Sequence, residues 1–188
     1  MATDIFNKRG SALEDEFFRR VDERLAEQLR EKWQHERDVA ALKRESRIED
    51  DTVIEELLEA GILPGMIQAM MLVPAIHVAW ANGYVEHQER DAVLSAAASI
   101  GIAADSTTGQ LLGHWLEKDP GDALFRAWQD YVVALHDVLD LTTYRHIHVA
   151  AVQAAGNIAE AAGGMLGVHA VSVAEKRCIK EIDEAFVQ

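Results

Sequence analysis

Glu86, Glu89 and Glu175 are the residues whose type and spacing best suit chemistry in this 188-residue chain. Each stands beside a turn, and carboxylate oxygens gathered near turns are the hard ligands that Mg²⁺ and Ca²⁺ take. The same spacing has a purely structural explanation. Val85-Glu86-x-x-Glu89 and Val171-Ser172-x-x-Glu175 each set a polar residue three positions before a Glu. That is the pattern of a capping box, in which the Glu carboxylate reaches back to the N–H of the capping residue and needs no metal. The stretch from Asn82 to Glu89 is too short for an EF-hand loop.

The remaining reactive side chains form no catalytic signature. Histidines stand at 35, 77, 87, 114, 136, 146, 148 and 169. No HExxH occurs, and no Glu is followed three positions later by His, which excludes the zincin and ferritin-like di-iron patterns. His136 and Asp140 lie one helical turn apart and are spaced to bridge each other or to share a metal. Together with Asp137 they are the acid–base set a helical-bundle enzyme would use, but no nucleophile accompanies them. His146 and His148, two positions apart, cannot share a helix face. The single cysteine, Cys178, excludes an internal disulfide and a CxxC knuckle. Beside Ile179, Ile182 and Phe186 it reads as a small buried apolar residue. There is no Walker A, GxSxG or dinucleotide glycine pattern. The expected function is therefore non-enzymatic, with no resident cofactor other than a candidate divalent cation.

These residues need helices to position them. Asp51-Thr52-Val53-Ile54-Glu55 starts a short helix that Gly61 ends. Leu63-Pro64 is expected to start the next, with Pro in the first turn. Pro74 should kink or split it by removing a backbone donor, and Asn82-Gly83 should close it. Further helices are expected over Glu86–Ser99, from Asp105 or Ser106 to Lys118, from Asp119-Pro120-Gly121-Asp122 onward, and over Thr142–Ala162. The last begins at the Ser172–Glu175 box. Leu124, Trp128, Val132, Leu135 and Leu139 share one face of the helix that starts at Asp119–Asp122. The alanine-rich run 150–162 reads as a tightly packed central helix, and Trp80, Trp115 and Trp128 read as core. No run alternates as a strand does, so the class is all-α.

Charge divides the chain. Residues 1–51 carry 11 basic and 14 acidic side chains, whereas residues 52–188 carry 7 and 18. This reads as a charged amphipathic helical arm, 1–51, and an all-helical domain, 52–188. The arm opens on a capping box at Ser11-Ala12-Leu13-Glu14. Leu13, Phe17, Val21, Leu25, Leu29 and Trp33 then follow at a spacing near four, a stripe that must meet its own domain or a second copy. A homodimer through the arm is the expectation preferred here. The net charge of −14 argues against nucleic acid or an anionic membrane as the main partner. No apolar secretory segment opens the chain. Residues 60–85 carry no Asp, Glu, Lys or Arg, but two prolines and three glycines interrupt them, so no transmembrane segment is expected.

Two segments resemble each other: Ala79–Arg90 and Gly163–Lys176. Each joins a helix end, a glycine turn, a β-branched residue, a cap and a Glu three positions on. They suggest an internal duplication. Around the first, Ala79-Trp80-Ala81-Asn82-Gly83-Tyr84-Val85-Glu86-His87-Gln88-Glu89 resembles the turn of the TerB-like family, named for a tellurite-resistance protein. It is also similar to the N-terminal domain of a DnaJ-type co-chaperone, and Ala97–Ile102 looks like the family's following helix end. The likeness covers about 52–188. It implies a TerB-like helical bundle, a cytoplasmic location, stress- or envelope-related work and no catalysis, while the missing catalytic signatures and the arm's uncovered stripe point to a binding or scaffold module with an unidentified protein partner. It also implies a divalent-cation site at Asn82, Glu86, Glu89 and Glu175, although Asn82 stands where the family prefers Asp.

Overall fold

Short-range capping chemistry sets most of the helix starts. The Asp50 carboxylate accepts the Thr52 N–H at 2.8 Å, Ser106 Oγ accepts the Gly109 N–H at 3.0 Å, and Asp140 Oδ1 accepts the Thr142 and Thr143 N–H groups, each at 3.0 Å. Each satisfies a donor that has no partner within its helix. The structure, a computed structural model, describes residue 25, residues 27–162 and residues 171–186. Its elements are α1 (residues 27–46), α2 (Asp51–Glu59), a 3₁₀ helix (Ile67–Leu72), α3 (Val73–Ala79), α4 (His87–Ser99), α5 (Thr107–Glu117), α6 (Gly121–Val138), α7 (Leu141–Ala162) and α8 (Val173–Glu184). Among the described residues there is no strand, and the all-α class holds.

Backbone contacts divide the chain into two units, 1–40 and 41–188. The change in charge lies later, after Asp51. Leu42, Ser46 and Ile48 are buried within the second unit. Ser46 Oγ donates to the Leu42 carbonyl and accepts the Ile48 N–H, which ends the helical backbone there. In the first unit, residues 27–40 are helical, and Leu25, Leu29 and Trp33 are 53%, 42% and 61% exposed. Ser11, Leu13, Phe17 and Val21, with the first capping box, lie outside the described residues.

In the second unit α3 is the hub. Val73, Pro74, Ala75, Ile76, Val78 and Ala79 are all buried, so the helix is covered on nearly every side. It packs against α6, α7 and α8, and α7 packs in turn against α4. Ala151, Ala155 and Ala159 are buried on α7, and side chains this small let helix backbones approach closely. Helix α3 thus meets both α7 and α8, and α4 meets α7. Residues 163–170 of the second of the two similar segments lie outside the described residues.

One expected boundary is corrected. No α-helix starts at Leu63-Pro64; residues 64 and 65 form a turn, with Gly65 at φ +83°, and the chain enters the 3₁₀ helix at Ile67. Pro74 occupies the first turn of α3, directly after the 3₁₀ helix, so of the two expected outcomes it splits the helical run rather than kinking it. Its missing N–H falls where no intrahelical partner exists. Past the end of α3, Gly83 has φ +82°. A residue with a Cβ would be strained in that turn.

Candidate metal centre

The turn after α3 meets the N-terminal cap of α8. Ser172 Oγ lies 3.4 Å from Asn82 Oδ1, a contact between residues 90 positions apart. Each following helix uses its Glu as read from the sequence. Glu89 Oε2 accepts the Glu86 N–H at 2.7 Å, and Glu175 Oε2 accepts the Ser172 N–H while Ser172 Oγ accepts the Glu175 N–H at 3.1 Å. The capping explanation of the spacing is therefore realised at both turns.

Capping does not use every oxygen. Glu89 is 1% exposed and Glu175 2% exposed, an unusual depth for carboxylates. Glu89 Oε1 is buried and has no hydrogen-bond partner. A carboxylate oxygen left in that state is costly unless it is protonated or meets a cation. Burial pushes the Glu89 carboxyl up to about 7; the hydrogen bond from Glu86 N–H acts the other way, and the charges of Glu86 and Glu175 add to the rise. The two buried glutamates are thus electrostatic neighbours although 86 positions separate them. Glu86 is half-buried and Asn82 exposed, and the carboxylate oxygens of Glu86, Glu89 and Glu175 do not all come within 4.8 Å of one another, so the residues expected to hold a cation are neighbours without being gathered into a ligand set. What the residues alone did not reveal is Ser172 Oγ beside Asn82, a further oxygen at the same place.

The other candidates lie elsewhere. Asp140 is occupied as the cap of α7, and its hydrogen bonds with Thr143 hold its carboxyl below the ordinary carboxylate range. His136 Nδ1 is 3.4 Å from Asp137 Oδ1 on the exposed side of α6, so its carboxylate contact is with Asp137 and not with Asp140. His148 Nε2 pairs with Asp183 Oδ1 at 2.6 Å and its ring stacks on Phe186. Cys178 is buried, and desolvation pushes its thiol up, the opposite of an activated nucleophile. Among the described residues no helix is long and apolar enough to cross a membrane. No family model matches the chain, and no curated protein or solved structure matches it either.

Proposed function

We propose that the chain is a non-enzymatic, TerB-like binding module of the cytoplasm that takes a divalent cation between its two helix-start turns. The observation that carries this reading is the orphaned, buried Glu89 Oε1, in a carboxyl that also feels the charge of the buried Glu175. An all-oxygen set of Glu89, Glu175, Glu86 and Asn82 suits Mg²⁺, Ca²⁺ or Mn²⁺ rather than a soft metal. Bound there, the cation would neutralise repulsion between carboxylates contributed by separate helix pairs and so tie the pairs together. It would supply structure and a regulated surface, with stress-related partner binding as its use. Calorimetry with Mg²⁺, Ca²⁺ and Mn²⁺ at pH 8 tests the site. Saturable binding that Glu89→Gln removes is the expected result. Absence of binding by the wild-type chain, or equal binding by the variant, would refute it.

The first unit supports a companion reading. Leu25, Leu29 and Trp33 are exposed on one helix, and covering each is worth about 1.5–3 kcal/mol. A second copy of the arm is the occupant preferred here, giving a homodimer. Full-length protein should sediment as a dimer, and a chain lacking residues 1–40 as a monomer. That end point keeps Leu42 and Ile48, which belong to the core of the second unit. A 20.8 kDa full-length species at high concentration would exclude the dimer.

A further inference from the structure

Farther along α8 from its cap, a different donor set converges with a residue of α3. His77 on α3 and Cys178 and Glu181 on α8 bring an imidazole nitrogen, a sulfur and a carboxylate oxygen within 4.8 Å of one another. Positions 178 and 181 are one turn apart and share a face of α8. His77 Nε2 lies 3.1 Å from Glu181 Oε2, and the His77 ring is stacked on Phe125 at a centroid distance of 3.7 Å, which fixes its plane. All three line one face of a cavity of about 290 Å³. Among the described residues this is the group of three His, Cys or acidic side chains whose ligand atoms converge.

We infer that His77, Cys178 and Glu181 form a Zn²⁺-type site, distinct from the carboxylate centre, with its fourth coordination position open to the cavity. Zinc takes nitrogen at about 2.0–2.1 Å and thiolate sulfur at about 2.3 Å in tetrahedral geometry, which sets two ligand atoms roughly 3.3–3.8 Å apart. The His77–Glu181 separation is a few tenths shorter than that and the whole set lies within 4.8 Å, so side-chain torsions alone can close the triangle. A neutral imidazole, a thiolate and a carboxylate balance the charge of a divalent ion. Asp119 and Asp122 line the same cavity and add negative potential, while Arg177 lies 3.7 Å from the other Glu181 oxygen and holds that carboxylate in place. Thiolate and imidazole select zinc over the alkaline earths. Burial and the Glu181 charge keep the thiol protonated in the metal-free chain, so binding releases its proton to solvent as the Zn–S bond forms. The open position leaves room for a water or one donor atom of a small ligand.

Cobalt titration of the full chain tests this directly, because Co²⁺ reports a thiolate ligand by a near-ultraviolet charge-transfer band and a tetrahedral site by intense visible bands. The expected result is both sets of bands, saturating at one equivalent and abolished by added Zn²⁺ but not by Mg²⁺. Cys178→Ser should remove the charge-transfer band, the chain having no other cysteine. His77→Gln, at a half-buried position that tolerates an amide, should weaken Co²⁺ binding by at least about tenfold. Glu89→Gln should leave the bands intact, so failure of the carboxylate centre and failure of this site are told apart. Absence of a thiolate band with the wild-type chain overturns the inference, as does a His77→Gln chain that binds Co²⁺ as tightly as wild type.

Discussion

The starts of α4 and α8 are built on one plan and differ in the charge of the capping residue. Both bury the third residue of the helix, Glu89 and Glu175, and both use that carboxylate to accept the N–H of the capping residue. The cap itself is Glu86 in one and Ser172 in the other. A hydroxyl adds no charge, whereas Glu86 sets a second carboxylate beside a buried one and helps to raise it. The same local backbone plan therefore carries a neutral cap at one start and a charged cap at the other. The start with the charged cap is also where a buried oxygen is left without a partner.

The largest expected effect comes from removing the Glu89 charge. Because Glu89 is raised to about 7 from 4.5, the folded chain holds its proton more tightly than the unfolded chain does. Its contribution to stability is complete below about pH 4.5 and is lost as pH rises toward 7. Glu89→Gln carries no charge to bury. Its stability relative to wild type should be below about 1 kcal/mol at pH 5 and rise to as much as roughly 3 kcal/mol at pH 8. Urea unfolding of both chains at the two pH values measures it, and a difference independent of pH would break the comparison. Addition of Mg²⁺ or Ca²⁺ should reproduce this gain in the wild-type chain at pH 8. It would amount to about 2.7 kcal/mol at a hundredfold excess over Kd and fade at pH 5, where the proton occupies the site. Thermal or urea unfolding with and without the cation shows whether proton and cation compete.

A smaller effect separates the two caps. Ser172→Ala removes the acceptor of the Glu175 N–H and should cost about 1 kcal/mol, readable as a shift in the urea midpoint at unchanged slope. Making the turns alike is subtler. Glu86→Ser keeps a capping residue, removes one of the charges that raise Glu89, and should move the Glu89 titration downward by a fraction of a pH unit in carboxyl NMR. A Glu89 titration unmoved by Glu86→Ser would mean that burial and Glu175 account for the whole rise.

Much of the fold was legible because its determinants are local. A cap, a first-turn proline or a glycine turn acts within four residues, so Ser106, Ser172, Glu89 and Glu175 were readable from spacing, while the cap of α2 proved to be Asp50, one residue before the expected start at Asp51. The exception, the 3₁₀ helix that precedes α3, arises because Pro64 and Pro74 each suit a helix start, and only packing decides which one is used. The burial of α3 and of the alanine face of α7 follows from composition for a similar reason, since an uninterrupted apolar segment must be covered. The candidate sites are another matter. Asn82 with Ser172, Glu89 with Glu175, and His77 with Glu181 are separated by 90, 86 and 104 positions. No periodicity links such residues. The sequence alone determined which side chains would cap which helices; the packing of α3 against α7 and α8 decided which capped ends would face each other. A carboxylate's neighbours, and so its protonation and its capacity for a cation, depend on distance through space, and that distance is set only when the helices meet.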